Sequence, residues 1–321
     1  MIVNLITTVY NFLWGDLFTI PLPGGGSLGI SLLILLLIPT GIYFTIRTRF
    51  LPIRLFPDMI RALSEKKNEK SSLSSFQTLI VSTATRVGMG NLVGVVAAVS
   101  AGGAGAVFWM WVTAIIGSST AFIEATLAQL HKEEDPLYGG YRGGPAYYIT
   151  KGMGEKWRPM AVFFSIAIII ALGCIGNMVQ SNSISNAMHT AFGVPLVITG
   201  IVTAILAGAV FFGGVARLAS VTEKIVPFMA AIYIIGGSYV IACHAGELGN
   251  AFRLIFVAAF DPQAVMGGAL GLTVAKAMQF GVARGLFSNE AGMGSTPHAH
   301  AVAKVEHPAE QGLVAIFGVF A

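Results

Sequence analysis

Residues 85–91 read Thr85-Arg86-Val87-Gly88-Met89-Gly90-Asn91, and residues 289–295 read Asn289-Glu290-Ala291-Gly292-Met293-Gly294-Ser295. The two stretches align without a gap and share Gly-Met-Gly. Each lies in or beside an apolar run long enough to cross a bilayer. Glycine accepts non-helical backbone at little steric cost. A helix that unwinds in lipid must find partners for the amides and carbonyls it frees. Small residues at such positions also serve close helix packing. Polar Asn91, Ser288, Asn289 and Glu290 beside the motifs argue for more, because polar groups at membrane depth are expensive and usually functional. Each stretch therefore reads as a helix broken inside the membrane. Gly88, Gly90 and Gly94 also mimic a nucleotide-binding turn, but no strand precedes them and no Lys-Ser/Thr follows.

Composition gives the same setting. Of the 321 residues, 55% are hydrophobic and only 11% are charged. Soluble domains carry roughly 25% charged residues, so the expected solvent is a lipid bilayer. The 39 glycines fit tight helix packing. The net charge of +4 does not imply nucleic acid, because the basic residues cluster in a few loops rather than forming a stripe. Cys174 and Cys243 sit in apolar runs and read as packing residues. His298 and His300 are two apart, which puts them on different helix faces and argues against a metal pair. No basic n-region marks a signal peptide.

Apolar runs occur at about 28–46, 76–100, 106–130, 159–189, 194–212, 225–243, 267–288 and from 309 onward. Each needs about 20 residues to span the hydrocarbon. Residues 1–27 read as an interfacial amphipathic segment, interrupted by Gly15 and Asp16. Ala251–Ala259 reads as a short helix lying against the membrane. Lys and Arg concentrate in 47–75 and 131–158, with Arg217, Lys224 and Lys304 marking further loops on the same side. The opposite loops offer only Arg253. The basic side is expected to be cytoplasmic, with the N-terminus outside. The last run stops at Ala321 short of a full span, so the chain is expected to end inside a helix.

Several further motifs join the two breaks. These are Gly102-Gly-Ala-Gly-Ala-Val-Phe-Trp-Met-Trp111, Gly143-Gly-Pro-Ala-Tyr-Tyr148, Gln180-Ser-Asn182 and Gly285-Leu-Phe-Ser-Asn-Glu-Ala-Gly-Met-Gly-Ser295. With Arg86–Gly94 they resemble the alanine or glycine:cation symporter family, the sodium:alanine symporters, over nearly the whole chain. The resemblance implies an all-α integral membrane protein with a leucine-transporter-like inverted-repeat fold. An extra helix at 28–46 would precede a first five-helix repeat at 76–243, and 267–321 would begin an incomplete second repeat. It implies a multi-pass transporter of a prokaryotic plasma (inner) membrane. The substrate would be alanine or glycine, and sodium the coupling ion. It implies no enzyme activity, no other cofactor and no nucleic-acid partner.

By the same resemblance, the Gly88 and Gly90 amides would hold the substrate carboxylate. The carbonyls of Thr85, Arg86 and Val87 would face the ammonium group or cations, with Asn91 an ion ligand. Met89 and Phe287 would wall a small pocket. Ser288 and Asn289 would line the ion and amine region, with Gly292 and Gly294 in the second break, and Gln180 would contact substrate. Family members often carry Thr at the Met89 position. In the wider fold, one sodium site draws Ser or Thr ligands from a helix beyond Ala321. Arg86 and Glu290 hold equivalent positions in the two motifs, so they are expected to pair directly or through water. The competing pairs are Arg86 with Glu124 and Glu290 with Arg284. Two other functions stay open. One is proton coupling through Glu290 or Glu124. The other is a cation channel, which would need a symmetric filter and an open pore.

Overall fold

A computed structural model describes residues 2–21, 27–64, 73–137, 139–261 and 274–320. The chain is mostly helical, with several apolar helices, as a multi-pass membrane protein requires. Among the described residues three helices are long and apolar enough to cross a membrane alone, and four if one bent pair is a single span. Residues 65–72 of the expected basic loop and 267–273 of the expected run at 267–288 lie outside the described residues.

The N-terminal segment is α1 (Ile2–Trp14) followed by an antiparallel hairpin of β1 (Phe18–Pro21) and β2 (Ser27–Ile30). This shortens the expected run at 28–46. Ser31 caps the helix that follows, its Oγ accepting from the Ile34 amide at 3.3 Å, so α2 begins at Leu32 and ends at Arg47. Two short helices, α3 (Leu51–Arg54) and α4 (Phe56–Ser64), carry the chain along the basic side.

Helices α5 (Ser75–Ala84) and α6 (Met89–Gly102) form the bent pair, turned by 56° at the first Gly-Met-Gly motif. A capping box starts α5: Ser74 Oγ accepts from the Gln77 amide, and the Gln77 side chain accepts from the Ser74 amide. Helix α7 (Gly105–Leu130) follows. A short ladder of β3 (Glu133–Glu134) and β4 (Tyr141–Arg142) leads to α8 (Pro145–Met153).

The expected run at 159–189 is one continuous rod built from α9 (Arg158–Ile168), a π-helical segment Ile169–Gly176 and α10 (Asn177–Phe192). Its wider central turns re-aim the residues that follow, Gln180 among them. Next come α11 (Leu196–Phe211) and α12 (Gly214–Cys243). Helix α12 corrects the expected loop at Arg217 and Lys224. Nothing in 214–224 breaks the helix, so both residues lie on it, and Gln77 Nε2 ties α5 to it through Glu223 Oε2 at 2.8 Å. The apolar faces of α9–α12 are largely exposed on this chain, and so are Cys174 and Cys243, which had read as packing residues. Helices apolar on all sides suit lipid or further protein rather than water.

The short helix expected at Ala251–Ala259 is α13 (Leu248–Phe260), docked on α7 through Phe108, Trp109, Phe256 and Phe260. The chain ends in α14 (Val274–Asn289), α15 (Thr296–Val302) and α16 (Pro308–Phe320).

Helix α7 is the hub. It packs against α2, α6, α8, α13, α14, α15 and α16. Its buried face is small and weakly polar, including Gly117, Ser118, Ser119, Thr120, Ala121 and Ala125. Glycines on α14 let the backbones meet it. A Cβ at Gly281 would lie 2.4 Å from the Ala106 carbonyl oxygen, and one at Gly285 would lie 2.8 Å from Thr113 Cβ. Interlocked small residues of this kind hold helices together where lipid supplies no hydrophobic drive.

A polar knot fastens the other end of α7. Gln129 Nε2 donates to the carbonyls of His300 and Ala303, and Lys132 Nζ donates to Gln129 Oε1 and to the Ala303 carbonyl, each at 2.7 Å. Burial and the nearby Lys304 charge bring the Lys132 ammonium down to about 8. His300 is buried and meets Gln311 Oε1 at 2.7 Å, whereas His298 stacks on Phe164, so the two histidines do face apart.

Candidate functional site

The first break is closed by its own asparagine. Helix α5 ends where Thr83 O accepts from the Arg86 and Val87 amides, leaving the Thr85 and Arg86 carbonyls without helical partners. Asn91 Nδ2 donates to both, at 3.1 and 2.7 Å. Helix α6 then starts at Met89, with Gly88 at its N-cap and no side-chain cap. One early amide of α6, that of Gly90, donates to Gln180 Oε1 at 2.8 Å. Gly88 leaves the space for that side chain, since a Cβ there would lie 2.6 Å from Gln180 Nε2. Gln180 therefore lies on the positive end of α6, where an anion is favoured.

Asn91, expected to be an ion ligand, has its side chain engaged. Its Oδ1 accepts from Arg284 Nη2 at 2.8 Å, and the same nitrogen takes the Gly90 and Asn91 carbonyls at 3.0 and 2.7 Å. A guanidinium already sits where a cation would coordinate Asn91. Phe287 stacks beside it, with the Arg284 Cζ 5.0 Å from the ring centroid.

The second break has three left-handed residues, Glu290 (φ 55°), Gly292 (φ 84°) and Gly294 (φ 76°). Glycine adopts this geometry readily; glutamate rarely does. Asn289 stabilises the turn, its Oδ1 accepting from the Ala291 amide at 3.0 Å. The freed amides of Gly292 and Gly294 donate to the two oxygens of Glu124, at 2.8 and 3.1 Å. An internal carboxylate from α7 thus fills the anion-binding geometry of this break.

Arg86 joins the two breaks, but not as an ion pair. Its Nε donates to the Asn289 carbonyl at 3.1 Å, Nη1 to the Gly318 carbonyl at 3.0 Å and Nη2 to Thr296 Oγ1 at 2.9 Å. Thr296 Oγ1 in turn donates to Glu290 Oε2 at 3.4 Å, and Ser295 Oγ donates to the same oxygen at 2.6 Å. Among the described residues, none of the pairs Arg86–Glu290, Arg86–Glu124 or Glu290–Arg284 forms a direct ion pair. This corrects the expected direct pairing; Arg86 and Glu290 meet through the Thr296 hydroxyl instead. Each nitrogen of the Arg86 fork donates to a neutral oxygen, and Glu124 and Arg284 are turned to backbone groups.

Among the described residues, two hydroxyls near the breaks are buried without a partner, those of Ser288 and Thr83. Buried polar groups are normally satisfied, so these oxygens are free to ligate. Ser288 was expected in the ion region. Thr83 was missed, as was Thr296, although a hydroxyl just past a Gly-x-Gly break is a readable signal. The structure gathers Thr85, Arg86, Gly88, Gly90, Asn91, Gln180, Arg284 and Phe287 at the first break. It gathers Asn289, Glu290, Gly292 and Gly294 around Glu124 at the second. Met89 begins α6, and Val87 lies in the bend.

The profile of the sodium:alanine symporter family matches residues 25–321. A probable sodium/glutamine symporter of Bacillus subtilis is 45% identical over 90% of this chain and 59% of its own length. A putative sodium/proton-dependent alanine carrier of the same organism is 45% identical over 89% of this chain and 58% of its own. A sodium/alanine symporter of Methanococcus maripaludis is 39% identical over 99% of this chain and 67% of its own. The chain spans about three fifths of the length of the first two relatives. These relatives are transporters rather than enzymes. The chain belongs to the sodium:alanine symporter family.

Proposed function

We propose that the protein imports a small neutral amino acid, alanine or glycine, across a prokaryotic plasma membrane, coupled to sodium by alternating access. The single observation that carries this reading is the first break, where the Gly90 amide and the Gln180 side chain meet at the start of α6. A zwitterion needs opposite poles. The positive end of α6 suits its carboxylate, and the carbonyl end of α5 at Thr85–Val87 suits its ammonium group. Gln180 can yield the Gly90 amide to the carboxylate and offer its own Nε2 in exchange.

Sodium is a hard cation that takes oxygen ligands. The unpartnered hydroxyls of Ser288 and Thr83 and the carbonyl of Val87 are the oxygens assigned to it. Asn91 serves as a brace of the break, because Arg284 holds its Oδ1. A sodium ion near the substrate carboxylate offsets that charge, which couples the two bindings. The leucine-transporter-like inverted repeat belongs to this proposal. So do the first repeat at 76–243, the second repeat starting at 267, the external N-terminus and contact with a lipid bilayer. In this frame the two broken helices bring their poles to the bilayer midplane.

The relatives' names disagree on substrate, glutamine for one and alanine for two others. Phe287 beside Arg284 favours a small side chain. A second reading, proton coupling, rests on Glu124, a carboxylate enclosed by the second break. Uptake of labelled alanine by the full-length protein in sealed vesicles tests the proposal. Accumulation should follow an inward sodium gradient at equal pH. Accumulation driven by a proton gradient without sodium selects the second reading, and preference for glutamine over alanine removes the small-substrate one.

A further inference from the structure

Helices α6 and α14 touch at two places and part between them. At one, a Cβ on Gly102 would lie 3.1 Å from Phe280 Cβ. At the other, Arg284 Nη2 bonds Gly90 and Asn91. The gap is a cleft of about 350 Å³, with Gly94, Ala97 and Ala101 on one wall and Phe280, Arg284 and Phe287 on the other. At one end it is bounded by Arg284, whose Nη2 bonds reach Gly90 and Asn91 of the first break.

Among the described residues, Arg284 is the only charged group lining this cleft. Among the described residues its three hydrogen bonds all use Nη2, and all three acceptors are neutral oxygens. Nη1 donates to no group among the described residues, and Nε is buried without a partner. No carboxylate of the described chain pairs with it. A guanidinium is always charged, and its planar fork matches a carboxylate. A half-buried cation without a counter-charge is unfavourable until an anion arrives. The fork is also fixed in place. Gly94 gives it room against α6, since a Cβ at that position would lie 2.1 Å from Cζ, and Phe287 covers one face.

We infer that the α6–α14 cleft is a separate carboxylate-binding antechamber, in which Arg284 Nη1 receives the substrate's carboxylate before it reaches the Gly90 amide. The amino-acid identity of the ligand rests on the function proposed above; the anion site does not. The ammonium group has no acidic partner among the described residues lining this cleft, so a simple carboxylate should bind as an amino acid does. The Nη2 bonds to Gly90 and Asn91 place the cleft's cation next to the first break, so occupancy would be sensed there. A phospholipid phosphate shares the chemistry and is the alternative source of the anion.

The test uses the full-length protein in a cysteine-free background carrying Ala97→Cys, an exposed position about one turn from Gly94. The readout is the rate of thiol labelling by an anionic methanethiosulfonate, with propionate as the probe. Propionate should slow labelling by about tenfold near ten times its Kd, and propionamide should not. Arg284→Gln should abolish the protection, and Arg284→Lys should keep part of it. Labelling by uncharged N-ethylmaleimide at the parent rate shows that the cleft of Arg284→Gln is intact. If Arg284→Gln does not fold, the propionate and propionamide comparison in the parent and in Arg284→Lys decides. No protection in the parent, or equal protection in Arg284→Gln, overturns the site. Protection by phosphatidylglycerol vesicles but not by propionate also overturns it, and assigns the anion to lipid. Protection without any sodium-driven alanine uptake would keep the antechamber and remove the proposed function. Uptake without protection would do the reverse.

Discussion

Arg86 Nη2 donates to Thr296 Oγ1 at 2.9 Å, and that hydroxyl donates onward to Glu290. The link crosses from the first broken helix to the second, so one threonine carries the contact between two opposite charges. Thr296→Val keeps the shape and removes the relay. It should cost about 1–3 kcal/mol, as for a buried group left unpartnered. Arg86→Ala should cost more, because it leaves the Asn289 and Gly318 carbonyls as well as Thr296 Oγ1 without their donor. The double exchange Arg86→Glu with Glu290→Arg should not recover stability. A carboxylate at 86 cannot donate to the Asn289 and Gly318 carbonyls that the guanidinium now satisfies. Thermal unfolding of the detergent-purified full-length protein is the measurement. Recovery by the exchange to near parent stability would show that a direct ion pair carries the contact.

Glu124 accepts the Gly292 and Gly294 amides with separate oxygens. Glu124→Gln leaves one acceptor oxygen and turns an N–H donor towards an amide that also donates. One of the two amides should lose protection worth about 1.5–3 kcal/mol, roughly 10- to 100-fold in hydrogen exchange. Exchange of peptides covering 290–296 checks this. Unchanged exchange in Glu124→Gln would mean that the left-handed turn holds itself.

The two breaks were legible in sequence because glycines beside polar residues interrupt otherwise apolar runs. The partners were not. Arg86 and Glu290 match in register, and register suggested a pair. Yet Arg86 is long enough to reach past Glu290 to carbonyls on two other elements. Gln180 was placed at the substrate by resemblance, and the structure sets its amide on Gly90. Arg284 was misdirected towards Glu290, since sequence spacing says nothing of what faces α14 from α6. The extent of α12 was hidden because charged Arg217 and Lys224 imitate a loop. Polar residues end an apolar run without ending a helix.

Lys132 fastens the α15–α16 connection through the Ala303 carbonyl. Lys132→Met should loosen it and speed tryptic cleavage after Lys304 by about tenfold, the effect of roughly 1.4 kcal/mol. The lowered pKa of about 8 does not undo the anchor at mildly basic pH. A neutral amine still donates two hydrogens, enough for Gln129 Oε1 and Ala303 O. The sign follows. Burial penalises the charged amine, so its contribution to stability is full above the unfolded value near 10.4 and falls as pH drops towards about 8. Cleavage of the parent, normalised to a free peptide, should therefore slow slightly from pH 8 to 9.5. Faster normalised cleavage across that range would mean that the ammonium charge itself holds the loop.

The last prediction separates substrate recognition from folding at the first break. Gln180 makes one hydrogen bond to the break, to the Gly90 amide, and projects from α10. Gln180→Ala removes that acceptor but leaves the Asn91 bonds that close the bend. The fold should hold, because the Gly90 amide faces the space the side chain leaves and water can reach it there. Substrate should suffer, since the side chain that exchanges with its carboxylate is gone. The half-saturating alanine concentration should rise about tenfold, as expected for one lost hydrogen bond to a charged group. Gly88→Ala makes the complementary test. Its methyl would meet Gln180 Nε2 at 2.6 Å and push the amide off the break without deleting it. Both variants should therefore weaken alanine while melting near the parent temperature. If Gly88→Ala weakens alanine but Gln180→Ala does not, Gly88 serves the backbone bend alone and Gln180 is a bystander. If both melt early with unchanged half-saturation, the contact is a structural brace, and the carboxylate is bound elsewhere.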